Sequence, residues 1–186
     1  MSINSDLDDV KLVESFKGGD KSSFDVLVVK YQNKVINLCF RFLGNYDDAC
    51  DCAQDVFVKV FESLSKFRGD SKFSTWLYAV TVNFCRNRIS SFKHRKSKQD
   101  TSYEIQDAGD ESLSPSKQFE RKELNNKIQK AIDSLDEDQK SVLILRDIEG
   151  LSYEEIVDIT GIKLGTVKSR IARAREELKE KLKGLI

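Results

Sequence analysis

Four aspartates, Asp47, Asp48, Asp51 and Asp55, crowd into one stretch that meets no Lys or Arg before Lys59. Clustered carboxylates of this kind could hold a divalent ion for metal-assisted hydrolysis, as in a nuclease. That chemistry needs a second set of convergent groups, and no histidine, serine nucleophile or Gly-rich phosphate loop accompanies them. The four cysteines, Cys39, Cys50, Cys52 and Cys85, form no CxxC pair with a second pair downstream. A zinc or redox site built from Cys50, Cys52 and the single histidine, His94, is conceivable, but buried structural thiols are far commoner. The expectation is therefore no catalytic residue, no metal and no cofactor. The aspartates have two other readings, complementation of a helix N-terminus or an acidic docking patch for a basic partner, and composition alone does not choose between them.

The stronger signal is cationic. Residues 151 to 183, LSYEEIVDITGIKLGTVKSRIARAREELKEKLK, read as a helix-turn-helix. Ser152 with Glu155 three residues on is a capping box, Gly161 offers the positive φ of a tight turn, and Ile162 and Leu164 are expected to re-enter the core. Thr166 can cap or flank the second helix, whose apolar positions Val167, Ile171, Ala174 and Leu178 leave Lys168, Ser169, Arg170, Arg173 and Arg175 off the buried stripe. Between Lys163 and Lys183 stand eight Lys or Arg against three Glu. A basic second helix after such a turn is suited to base edges in the major groove and to phosphates.

A second basic segment lies upstream. Between Lys66 and Lys98 there are nine Lys or Arg and one acid, Asp70. These cations alternate with Phe67, Phe73, Trp76, Tyr78 and Phe92, which supplies both phosphate attraction and flat faces for an unstacked base. Trp76 and Phe84 at helical spacing also suit a core, and for each of them the core reading is the commoner one.

Helices must position these residues. One proline and nine glycines, with 39% hydrophobic and 33% charged residues, favour long helices over an all-β chain. Lys plus Arg equals Asp plus Glu, so only local charge is informative. The start of the chain lacks a signal-peptide pattern and no long apolar run occurs, so a cytoplasmic protein with no membrane insertion of its own is expected. Leu7, Val10, Val13 and Phe16 suggest a short helix ended by Gly18 and Gly19, and Asp20 caps a long one reaching about Phe42. Gly44 and Asn45 break it, and a third helix runs from Tyr46 to about Leu64. Ser74 is expected to cap a fourth after the turn-rich loop Phe67 to Phe73. Residues 99 to 116 hold five acids, no Lys or Arg and a Ser-Pro-Ser run, the composition of a flexible linker. Helix resumes near Phe119, Asp136 caps the next and Gly150 ends it. The expected architecture is all-α, two helical domains joined by the acidic linker, the second a four-helix unit with the helix-turn-helix.

The order of DDACDCAQDVFVKVFESLSKFRGDSKFSTWLYAVTVNFCRNR and, after a linker, LDEDQKSVLILRDIEGLSYEEIVDITGIKLGTVKSRIARAREEL closely resembles the extracytoplasmic-function (ECF) group of bacterial sigma factors. The resemblance spans nearly the whole chain. It implies a transcription initiation factor without catalytic activity, with residues 8–96 as sigma region 2, 97–119 as linker and 120–186 as sigma region 4. It implies that Asp51, Gln54, Asp55, Phe57 and Lys59 dock on the β′ coiled coil of core RNA polymerase, which favours the partner reading of the acidic patch, with the β flap as a further contact. Phe67, Arg68, Gly69, Asp70, Ser71, Lys72, Phe73, Trp76, Asn83 and Arg86 would meet the minus-ten element, where base extrusion costs a few kcal/mol offset by a pocket. Thr166, Lys168, Ser169, Arg170 and Arg173 would lie in the minus-thirty-five major groove. Promoter DNA and an anti-sigma factor are the other implied partners. Cys50 and Cys52 stand where relatives often carry an acidic and an aliphatic residue, so redox modulation is a speculative extra. The nearest alternative is a stand-alone helix-turn-helix regulator.

Overall fold

The computed structural model describes residues 2–95 and 115–183, and the side chains of residues 8–91 and 123–183. In chain order the elements are α1 (Ser2–Lys17), α2 (Ser22–Leu43), α3 (Tyr46–Ser63), a 3-10 turn (Leu64–Lys66), α4 (Phe73–Arg95), α5 (Pro115–Asp133), α6 (Glu137–Leu143) running into a π turn (Ile144–Ile148), α7 (Tyr153–Thr160) and α8 (Leu164–Leu182). The described residues form helices and no strands. Helices α1 to α4 make one bundle and α5 to α8 a second, four-helix unit, as the apolar periodicity predicts. Of the expected linker 97–119, residues 97–114 lie outside the described residues. The remainder is already helix, because Pro115 serves at the first helical position, where its missing N–H costs nothing.

Local chemistry sets the helix ends. Asp20 accepts from the Ser22 amide at 3.0 Å and the Ser23 hydroxyl at 2.7 Å, so it closes the start of α2 from just outside it. Asn45 caps α3 by accepting from the Asp48 amide at 2.9 Å. The Ser152 and Glu155 capping box is complete, with bonds of 2.9 and 3.1 Å. Gly161, at φ 68°, turns the chain from α7 into α8 and gives its amide to Val157 O at 2.8 Å.

Four expectations need correction. Val10 faces solvent, and Asp9 takes the inward place, hydrogen-bonded to Tyr31 Oη and ion-paired with Lys30. The reason is that a three-residue recurrence drifts around a helix of 3.6 residues per turn. Ser74 does not cap α4, since the helix has already begun at Phe73. Thr166 sits inside the first turn of α8 rather than before it, because Lys163 holds the N-cap position. Leu164 is more than a third exposed, so only Ile162 packs back on the core after the turn.

The buried side chains of both units form one contiguous cluster. Part of the seam between them lies at the end of α2. A helix leaves its last four carbonyls without intrahelical partners. Here the second unit supplies donors: Lys140 Nζ to Phe42 O at 2.7 Å and Gln129 Nε2 to Arg41 O at 3.0 Å. Lys140 is buried and also pairs with Asp133. A cation at a helix C-terminus is favourable to the dipole as well as to the bare carbonyls. Gly44 ends α2 at φ 74°, and a Cβ there would meet Asp133 Oδ2 at 2.9 Å.

Candidate nucleic-acid interface

The loop before α4 turns at Gly69, φ 79°, and carries exposed Arg68, Asp70 and Lys72. Behind them Phe67 stacks near Trp76, with ring centroids 5.1 Å apart, and both meet Phe73 at 6.2 and 6.0 Å. Lys17 reaches the Phe67 carbonyl from α1 and so ties the loop down. Phe73 itself is buried and packs edge-on against Tyr31, so it supports the cluster from below and offers no face to a base. Phe67 and Trp76 remain half-buried. Asn83 is exposed two turns further along α4.

On α8, Thr166, Lys168, Ser169 and Arg173 are exposed, while Val167, Ile171 and Ala174 are buried. Lys168 lies 5.5 Å from the centre of the Tyr153 ring, and the Arg146 guanidinium lies 4.7 Å from the same ring. Arg175 donates to Asp147 at 2.9 Å, which holds the recognition helix on the π turn and spends that cation within the fold.

Two of the expected DNA-reading cations are engaged elsewhere. Arg170 pairs with Asp138 at 2.6 Å, and Arg86, from the other unit, reaches the same carboxylate at 3.5 Å and Ser141 Oγ at 3.4 Å. Helix α4 also packs along α7. Nearby, Tyr78 Oη donates to Glu149 at 3.1 Å across the seam. Burial pushes the Glu149 carboxyl above its usual range and, with the neighbouring carboxylate, pushes the Tyr78 phenol up too. The π turn, closed by Glu149 N to Ile144 O at 3.0 Å, brings Glu149 to this place. Neither Asp138 nor Glu149 was singled out from sequence. A lone acid on a short helix carries no signal for a contact across the chain.

The acidic helix presents Asp51, Gln54 and Asp55 to solvent. Arg88 of α4 comes within 3.6 Å of Asp51 and 3.3 Å of Asp55, so the patch is partly neutralised by its own domain. Lys59 pairs with Glu62 at 3.7 Å. Phe57 lines a groove between α2 and α3 with Phe24, Val28, Ile36, Ala53 and Phe61. Sequence reading missed the apolar rim of this face: Val29 is 71% exposed, Val58 61%, and Val26 and Phe61 stand out as well. Val58 and Phe61 line the groove beside the charges of α3, the apolar and charged mixture of a contact site.

Cys50 and Cys52 do not act together. Two positions apart on a helix they face opposite ways: Cys50 opens on the groove, and Cys52 is buried against Cys85, with Sγ atoms 4.0 Å apart. His94's side chain is outside the described residues. Among the described residues, the aspartates of α3 form no group close enough to share one ion.

Comparison with known proteins agrees with this arrangement. The sigma-70 region 2 family matches residues 27–95, and the sigma-70 region 4 family matches residues 125–178. The RNA polymerase sigma-H factor of Pseudomonas aeruginosa is 40% identical over 184 residues, covering 96% of this chain and 95% of that protein. The chain belongs to the ECF group of the sigma-70 family. The ECF RNA polymerase sigma-E factor of Escherichia coli K12 is 38% identical over 190 residues, 99% of each chain. Among solved structures, the sigma factor RpoE of Bartonella quintana, in complex with the anti-sigma factor NepR, is 25% identical at TM-score 0.66, covering 86% of this chain and 96% of that one. CnrH, in complex with the cytosolic domain of CnrY, matches at TM-score 0.71 over 95% of this chain and 98% of its own; at 24% identity it supports the fold alone. As an ECF sigma factor the protein acts in transcription initiation, binding core RNA polymerase and directing it to promoters, and the stand-alone regulator is not favoured. The family is one of initiation factors rather than enzymes. Among the described residues, no helix is long and apolar enough to cross a membrane.

Proposed function

We propose a division of labour within this sigma factor. The loop Phe67 to Phe73, with Trp76, Asn83 and Arg86, reads the minus-ten element. Thr166, Lys168, Ser169, Arg170 and Arg173 read the minus-thirty-five element. The face of Asp51, Gln54, Asp55, Phe57 and Lys59 docks on the polymerase β′ coiled coil, and residues 120–186 contact the β flap. The working units are residues 8–96 and 120–186, with 97–119 as the tether; the protein is cytoplasmic and has no catalytic activity of its own.

The observation that carries this reading is the sharing of Asp138 by Arg86 and Arg170, one cation from each DNA-facing helix. Of the two, only the Arg86 pair crosses between the units, so Arg86 must leave Asp138 before it can meet phosphate or base; the form described here is a closed one, and minus-ten reading by Arg86 follows separation of the two units. Polymerase docking does not require that separation, since Asp51, Gln54 and Asp55 are already exposed in the closed form. An anti-sigma partner fits the same scheme by holding the closed form; the Bartonella relative is itself found in complex with an anti-sigma factor, NepR. Pull-down from unstressed cells that returns the chain alone counts against such a partner.

Run-off transcription with purified core polymerase on a promoter library is the test. Specific transcripts that need the chain, and fall when Lys168 and Arg173 are changed to Ala, support the reading. Transcription unaffected by the chain, with tight duplex binding by the chain alone, overturns it.

A further inference from the structure

The core of the first unit holds a group of side chains that neither DNA nor polymerase binding uses. Cys39 of α2, Cys52 of α3 and Cys85 of α4 are each fully buried, and their three sulfur atoms lie within 4.8 Å of one another. Three thiols from three different helices thus converge on one point. Cys50 is the natural control, since it lies on the other face of α3.

The geometry sets the kind of ion. A metal bonded to three sulfurs at about 2.3 Å in one plane holds them about 4.0 Å apart. Cys52 and Cys85 already stand at 4.0 Å, so the group needs only a small contraction. Among the described residues no His, Asp, Glu or fourth Cys completes the set. Zinc in structural sites takes four ligands, whereas soft, low-coordinate ions select thiolates.

We propose that Cys39, Cys52 and Cys85 form a three-sulfur site for a soft monovalent ion, Cu(I), inside the region 2 core. Binding breaks two S–H bonds and forms two copper–thiolate bonds, releasing two protons to solvent, while the third cysteine donates through its thiol sulfur. No electron changes hands. Two thiolates and one Cu(I) leave one negative charge, and the guanidinium of Arg88 faces Cys52 to oppose it. Arg88 also pairs with Asp51 and Asp55, so the site lies directly beneath the proposed docking face.

The experiment is an anaerobic titration of the reduced full chain with Cu(I) against a competing chelator, read by ultraviolet charge-transfer absorption, thermal melting and X-ray absorption. The site predicts one copper per chain, a raised melting temperature, and three sulfurs at about 2.3 Å around the metal. Cys85→Ser should weaken binding at least tenfold, and Cys50→Ser should leave it unchanged. Should Cys85→Ser melt too low for comparison, the wild-type X-ray spectrum still decides. Fewer than three sulfurs around copper, equal loss in Cys50→Ser, or no binding while Cys52 and Cys85 simply oxidise to a disulfide would each overturn the proposal.

Discussion

The outer face of α2 and α3 and the inner face of α4 belong to the same small domain but are treated in opposite ways. The outer face leaves Val29, Val58 and Phe61 in water beside Asp51, Gln54 and Asp55. The inner face is engaged: Tyr78 bonds to Glu149, Arg86 to Asp138 and Ser141, and α4 packs on α7. Water-exposed apolar surface is unfavourable unless something covers it, whereas the inner contacts are already satisfied. The difference fits the proposed order of events, with the docking face available in the closed form and the Arg86 side of α4 available only after opening.

The most direct way to break the contrast is Lys140→Met. It removes the charged donor at Phe42 O and leaves Asp133 without that cation, at a cost of about 1.5–3 kcal/mol to the seam. Small-angle scattering of the free chain should then show an expanded particle, while the helical content by circular dichroism stays unchanged. An equally compact variant would mean that apolar packing, not the capping of α2, holds the units together.

Val58→Asp tests the other face. Because this side chain is 61% exposed, melting should hardly move, while affinity for core polymerase should fall about tenfold, or roughly 1.4 kcal/mol. Unchanged binding in a pull-down titration would remove the apolar rim from the docking surface.

Asp138→Asn is a smaller effect. The Arg86 and Arg170 pairs are partly exposed, so each contributes at most about 1 kcal/mol after screening. Freeing both cations should raise duplex affinity of the isolated chain a few-fold, with a slightly steeper salt dependence by anisotropy. Weaker DNA binding would show that Asp138 orients these arginines rather than withholding them.

Glu149 gives the smallest effect and a sign. Its pKa is raised in the closed form by burial, so closure favours the protonated acid. That contribution is present below the ordinary carboxylate range and is lost as pH rises through the raised value. Acidification from neutrality should therefore favour the closed form, and Glu149→Gln should flatten this dependence in a scattering or energy-transfer titration. A pH response that survives in Glu149→Gln would assign it to another group.

Much of this was legible in the sequence because it is local. The Ser152 and Glu155 box, the Asp20 and Asp136 caps, the Gly161 turn and the stripe Val167, Ile171, Ala174 each depend on neighbours within a turn or two. Long helices with a strong period survived the β-branched Val28 and Val29 for the same reason. The misses follow from distance. Asp138, Glu149, Gln129 and Lys140 act across the seam, and nothing in their own segments announces partners far away in sequence. The burial of Phe73 was hidden because an aromatic in a basic loop serves equally as core or as base platform until Tyr31 is placed beneath it. The thiol trio was hidden likewise, since its members come from three helices and the pair adjacent in sequence, Cys50 and Cys52, points two ways.

The measurement that tests the central claim most directly is the distance between the two units, by energy transfer between dyes placed through non-cysteine chemistry at exposed Lys11 and Lys179, for the free chain and for the chain on core polymerase. A short distance when free and a long one on polymerase is the predicted result. The same distance in both states, or an extended free chain, would contradict the closed form and the order of events drawn from it.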